Sequence, residues 1–291
     1  MLQEKNLKNT MINGSLAVFL ALLSAVMLYP MLHVIFTSLS EPAQLIRHRG
    51  LLFRPLGFDT IAYDVVLRNP RILSGYGNTL FILFFGLIFN IVLTSLGAYF
   101  LSRKGVFWSK TISFLILLTM YFSGGLVPFY LTVRNLGLYN SLWALILPTA
   151  VNTYNMIILR TYFQTIPDSL VESVHIDGGG HFTILFRIFL PLSLPAMAVM
   201  VLYYGVGHWN SWFNAMIFIR DTGKYPLQLI LRDMLLLGTN LDIKTDGVDY
   251  NQIRESVKSA TIVVSTLPVM MIYPFLQKYF VGGLMVGSLK E

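Results

Sequence analysis

The residues best equipped for chemistry gather in two places along the chain. Around position 175, Glu172, His175, Asp177 and His181 bring carboxylates and imidazoles close together. His175, Asp177 and His181 are metal-ligand types, but the Gly178-Gly179-Gly180 run between them supplies no rigid frame and no arrangement for an activated water. A solvated loop is the reading, and no metal is expected. Further on, Trp209, Asn210, Trp212 and Asn214 combine aromatic faces with amides. That combination suits a sugar ring, so these four are the candidate substrate-path residues. Tryptophan also collects in interfacial belts, and asparagine also glues helices together.

Several chemistries have no residues to carry them. There is no cysteine, which excludes disulfides, thiol catalysis and thiolate metal sites. No G-x4-G-K-[ST] phosphate loop occurs, and Lys224 in TGKYP follows no glycine loop, so no nucleotide site is expected in this chain. H-E-x-x-H and G-x-S-x-G patterns are missing, which removes the usual metallo- and serine-enzyme readings. An ion-coupled carrier wants acidic groups near the membrane midplane. The apolar stretches hold essentially none away from their ends, so the carrier stays only as the alternative.

Positioning these residues falls to membrane helices. Of 291 residues 55% are hydrophobic and only 12% charged, against ~25% charged in soluble domains. Six apolar stretches reach the ~20 residues that cross a bilayer, at about 15–39, 78–101, 110–133, 141–162, 191–219 and 259–281. Backbone groups in lipid must be satisfied internally, which demands helices; FILFFGLIF at 81–89 is apolar at both parities and lacks a barrel's alternation. The expectation is an all-α polytopic protein with six spans, a single transmembrane domain over 1–291, embedded in a lipid bilayer. The first span follows Lys5 and Lys8 but has no A-x-A-like site after it, so it reads as an uncleaved helix. Arg103, Lys104 and Lys110 favour a cytoplasmic second turn. Both termini and 164–190 then share the cytoplasmic side, with outer loops at 40–77 and 220–258. The net charge of +7 flanks helices without a basic-aromatic block, so nucleic acid is not an expected partner.

The 164–190 segment has its own local logic. Pro167 stops what precedes it, Ser169 is a good N-cap, and Glu172 three residues on completes a capping box. A short helix Leu170–Asp177 follows, with Leu170, Val171 and Val174 on one face, and the glycines end it. A second short helix, His181–Leu190, runs up to a break at Pro191. An amphipathic helix outside the membrane wants a partner for its apolar face, and periodicity does not say which.

This segment resembles the cytoplasmic signature of bacterial ABC importer permeases: E-A-A, three residues, G, nine residues, I-x-L-P. Here Glu172-Ser173-Val174, Gly178, Ile188, Leu190 and Pro191 occupy it, with Ser and Val replacing both alanines. GFDTIAYDVVLRNPRILSGYGNTL (Gly57–Leu80), SGGLVPFYLTVRNLGLYNSLWALILP (Ser123–Pro148) and GGLMVGSLKE (Gly282–Glu291) extend the resemblance over nearly the whole chain. It is similar to the carbohydrate-uptake type, in particular the smaller maltose-importer permease and a subgroup for larger saccharides such as alginate- or pectin-derived oligomers; an importer permease for a non-sugar solute is, with the carrier, the alternative. The resemblance implies a type I importer fold and a coupling helix between spans 4 and 5. Its implied partners are a second homologous permease, two ATPase subunits that hold ATP and magnesium, and an extracytoplasmic solute-binding protein. It further implies that Leu170, Glu172, Ser173, Val174, Asp177, Gly178, Ile188, Leu190 and Pro191 transmit ATPase closure, and that Gly287, Ser288, Leu289 and Lys290 reach the ATPases. The bacterial cytoplasmic membrane is the implied location.

Overall fold

The structure is a computed structural model that describes residues 2–103, 105–237 and 250–283. Among them the regular structure is helical, with no strand. In chain order the α-helices are α1 (Leu2–Ser38), α2 (Pro42–Arg47), α3 (Ile61–Leu67), α4 (Pro70–Ser102), α5 (Ser109–Tyr121), α6 (Leu126–Asn135), α7 (Trp143–Ile146), α8 (Thr153–Phe163), α9 (Asp168–Ile176), α10 (His181–Ile184), α11 (Leu190–Leu192), α12 (Leu194–Trp209), α13 (Trp212–Phe218), α14 (Leu227–Arg232) and α15 (Tyr250–Gly283). The expected tail contacts Gly287, Ser288, Leu289 and Lys290 lie outside the described residues, as does 238–249 of the second outer loop.

Among the described residues three helices are long and apolar enough to cross a membrane: Ile12–Ser38, Pro70–Ser102 and Ile253–Ile272. The stretches expected as continuous spans at 110–133, 141–162 and 191–219 are interrupted. The first bends by 113° between Ser109–Tyr121 and Leu126–Asn135, across Ser123-Gly124-Gly125, where helix propensity is poor. The last bends by 85° between His181–Leu192 and Leu194–Trp209. The middle one stops after a 3-10 turn at Leu147–Thr149 and restarts at Thr153. Asn152 caps the restart, its side chain accepting the Asn155 N–H at 3.1 Å. Apolarity sets what can sit in lipid, while capping and glycine chemistry decide where the helix runs straight.

The chain forms two compact units. One comprises Met1–Asn69 and Met234–Thr266. In it α1 turns at Ser38, whose hydroxyl meets Tyr63 Oη at 2.7 Å. The loop after α1 then closes on itself: Glu41 N–H donates to Leu56 O at 2.9 Å and Asp59 N–H to Leu39 O at 3.1 Å. α2 and α3 thus occupy what the sequence offers as one polar loop.

The other unit comprises Pro70–Asp233 and Leu267–Glu291. Its axis is α4, which packs on α8, α12 and α14. The buried stripe of α4 includes Ile72, Gly75, Thr79, Ile82, Gly86, Asn90 and Thr94, a helical repeat of small and polar residues that lets backbones approach closely. Two apolar clusters flank it. One joins Ala98, Leu159, Phe163, Ile184, Phe189 and Met200; the other joins Ile82, Leu145, Ala215, Phe218 and Leu229.

Candidate coupling segment and intramembrane polar pocket

Two sites emerge in the second unit. The first is the segment after α8. The chain turns at Pro167, which serves as N-cap of α9 with extended geometry and makes no side-chain cap bond. The expected Ser169–Glu172 capping box is therefore not formed, because the helix begins one residue before Ser169, at Asp168. Proline's fixed φ suits the turn into a helix, and Asp168 in the first turn favours the positive end of the dipole. Freed from a cap, Glu172 is exposed with no hydrogen bond or ion pair among the described residues.

The other end of α9 follows the expected pattern closely. Gly178 has φ +78°. Its N–H donates to His175 O at 3.0 Å and the Gly179 N–H to Val174 O at 2.8 Å, the paired bonds of a Schellman stop. Val171 is buried and Val174 packs against the core, so one face of α9 is locked inward. Leu170, Ile176 and the following Phe182 remain exposed. Ser173 bonds back to Leu170 O at 3.0 Å, and Asp177 sits exposed at the C-cap.

The second helix does not break at Pro191. A π turn at Leu185–Phe189 carries it into α11, and it ends at Ser193. The widened turn loosens the backbone ladder just ahead of the proline, which lets the helix take in a residue that lacks an N–H. Ile188 and Leu190 pack on the same core as Val174. Arg103 ties the segment to the end of α4: its guanidinium lies 4.6 Å from the Phe189 ring centroid and 3.9 Å from Asp168 Oδ1. Tyr99 Oη meets His181 Nδ1 at 3.0 Å. Arg103, Asp168, Val171, Glu172, His175 and His181 line an open groove of about 730 Å³. His175 and His181 do meet, ring centroids 5.6 Å apart, but no metal-binding group of three is present among the described residues.

The second site lies at the break between α7 and α8. Asn90 of α4, fully buried, donates from Nδ2 to Thr149 O and Ala150 O, both at 2.9 Å. These are carbonyls that the interrupted helix leaves unpaired. Its Oδ1 then receives Nε2–H of His208 at 2.6 Å, an orientation set by the two amide bonds. Gly86 makes room for that ring: a Cβ there would fall 2.5 Å from His208 Nε2. Tyr204 Oη accepts the Asn152 N–H at 3.0 Å and bonds Thr94 Oγ1 at 2.7 Å. Above this network opens a pocket of about 300 Å³, lined by Asn152, Asn155, Tyr203, Tyr204, His208, Asn210 and Asn214 among others.

The four sequence candidates separate. Asn210 and Asn214 line the pocket. Trp209 is buried, edge-on to Tyr76 at 6.3 Å, and Trp212 lies beneath the Arg232 guanidinium at 5.2 Å. Asn90, Asn152, Asn155, Tyr204 and His208 were not singled out from sequence. A signal existed: Asn90 and His208 are polar residues well inside apolar stretches, where such groups are costly and tend to be functional.

Residues 91–286 match the family described as binding-protein-dependent transport system inner membrane component. The chain is 37% identical over 286 residues to the polygalacturonan/rhamnogalacturonan transport system permease protein YtcP of Bacillus subtilis (strain 168), covering 98% of this chain and 100% of that one. It is 39% identical over 276 residues to protein LplC of the same organism, covering 94% and 92%. Its fold matches, with TM-score 0.86 and 31% identity over 94% of this chain and 98% of the other, a chain in the crystal structure of a bacterial ABC transporter involved in the import of the acidic polysaccharide alginate. This chain belongs to the binding-protein-dependent transport system inner membrane component family.

Proposed function

We propose that this chain is a permease subunit of an ATP-driven importer that carries a saccharide, in the size range of an oligosaccharide or polysaccharide fragment, across the bacterial cytoplasmic membrane. It pairs with a second homologous permease, receives cargo from an extracytoplasmic solute-binding protein, and stands above two ATPase subunits that bind ATP and magnesium. This chain itself is not an enzyme and carries no cofactor. The transmembrane domain spans 1–291 with six crossings, the interrupted stretches at 110–133, 141–162 and 191–219 each counting as one, and both termini in the cytoplasm. The saccharide cargo is inferred from the likeness to the polygalacturonan/rhamnogalacturonan permease and to the alginate importer.

The observation that carries this reading is α9: one face locked into the core through Val171 and Val174, the other presenting Leu170 and Glu172, which has no hydrogen bond or ion pair among the described residues. A helix held this way transmits a push as a rigid body. It docks in an ATPase groove, Glu172 or Asp177 pairing with a basic residue there, and Ile188, Leu190 and Pro191 carry the motion into the bent fifth span. The Gly287–Lys290 tail reaches between the ATPase subunits.

The test is purification of the tagged chain from native membranes in mild detergent. A second permease and an ATPase co-purify, and Glu172→Lys lowers the ATPase activity about tenfold or more, the scale of one charge-assisted hydrogen bond. Recovery of the chain alone in several detergents overturns the reading in favour of an ion-coupled carrier. Co-purification with ATPase activity stimulated by a binding protein for another solute class overturns only the saccharide part.

A further inference from the structure

We infer that the pocket between α8, α12 and α13 is a saccharide subsite contributed by this chain, and that it takes an uncharged sugar residue rather than a uronate. The inference rests on the importer reading and adds a ligand site to it.

The pocket's surroundings exclude a lipid-facing role. Tyr203, Gly207 and Asn210 form an exposed stripe along α12, and Asn152 is exposed across from them on α8. Amides and phenols turned to hydrocarbon have nothing to bond with, and each costs several kcal/mol, roughly 2–7 without compensation. This face therefore meets water, a ligand or the second permease rather than lipid. The floor points the same way. Asn155 is only 6% exposed, yet its side-chain amide makes no hydrogen bond among the described residues and opens on the pocket. A buried amide left unpaired on a pocket wall is a group kept for a ligand.

The lining then defines the ligand's chemistry. Asn155, Asn214 and Tyr203 offer donors and acceptors without formal charge, and the Tyr203 and Phe213 rings, both 44% exposed, supply flat apolar faces. Hydroxyls alternating with C–H faces answer that set, which is the surface of a sugar ring. The pocket's volume sits at the lower end of small-molecule sites, about 300–1,000 Å³. No Lys or Arg lines it. His208, the one titratable base, already donates Nε2–H to Asn90. A carboxylate lodged here would be desolvated without a cation, a cost that hydrogen-bonded neutral hydroxyls avoid. Acidic cargo would be bound at other positions of the path, outside this pocket.

The natural absence of cysteine makes the test direct. Asn214→Cys and Tyr203→Cys are introduced singly in the full transporter, with Phe114→Cys on the apolar helix α5 as a lipid-facing control. Each is treated with a water-soluble methanethiosulfonate reagent in nucleotide-free and vanadate-trapped states. Maltotriose, arabinotriose or trigalacturonate is added as the protecting probe, and ATPase co-purification is scored on the same preparations. The expected result is labelling at 214 and 203 but not at 114, slowed severalfold by a neutral trisaccharide and not by trigalacturonate. No labelling in either state overturns the site. Labelling that no trisaccharide slows leaves a water-lined surface and overturns the ligand. Equal protection by trigalacturonate overturns the exclusion of uronates. Loss of the ATPase subunits in all preparations, the control included, strikes the importer reading instead.

Discussion

Single residues carry the tightest constraints in this protein. Asn90 satisfies two carbonyls at once, Thr149 O and Ala150 O, and orients His208. Asn90→Leu leaves both carbonyls buried without donors, at about 1–3 kcal/mol each. A clear fall in the thermal midpoint of the detergent-solubilised complex, read by fluorescence-detected gel filtration, is the expected outcome. Gly86→Ala acts from the opposite wall: the added methyl meets the His208 ring, and overpacking of this kind costs about 1–3 kcal/mol. The same assay reads it, and an unchanged midpoint would show that the ring can retreat. Gly178 is a third fixed point, since its φ of +78° is one that a residue with a Cβ adopts at about 1–2 kcal/mol. Gly178→Ala should weaken the ATPase-permease interface more than Gly178→Asn, because asparagine tolerates the left-handed region.

At the scale of elements, α9 works by having two faces with different duties. Val171→Asp puts a charge into the core beneath the helix and should lower both stability and ATPase coupling. Leu170→Asp alters only the outward face; coupling should fall while the thermal midpoint holds. Equal effects from both variants would mean that α9 is merely a packed surface turn. The groove beside it depends on Arg103, held between the Phe189 ring and Asp168. The ion pair is loose at 3.9 Å and half-exposed on its acid side, so its Coulomb term is small. The ring contact and the covered alkyl stem matter more.

For the whole molecule, the interrupted helices are the defining feature. Non-helical backbone at membrane depth persists only where protein or water satisfies it, and here Asn90, Tyr204 and Asn152 do so at one break. The proposed topology makes a simple prediction. A cysteine replacing Ile176, 85% exposed, should react with an impermeant thiol reagent only from the cytoplasmic face of the membrane. One replacing Phe53, 74% exposed, should react only from outside. Labelling of both from the same side sinks the arrangement of six crossings.

What the sequence determined alone were the quantities that composition and short-range chemistry control. Apolar runs of span length made the protein helical and membrane-bound, because lipid leaves the backbone no other partner. Gly178 stopped α9 where expected, since a left-handed position is a property of one residue and its neighbours. Glu172, Gly178, Ile188, Leu190 and Pro191 at their spacings carried the resemblance to the family. Tertiary structure decided the rest. Ser169 and Glu172 could form a cap or leave it, and the turn at Pro167 chose the latter by starting the helix at Asp168. Trp209 and Trp212 went to packing partners while Asn210 and Asn214 lined a pocket, though all four look alike in a one-dimensional reading. The pocket itself joins residues from stretches far apart in the chain, at 149–155 and 203–214, over a floor that Asn90 of α4 fastens. Such a site has no local signature, because its hydrogen bonds exist only once the helices have packed.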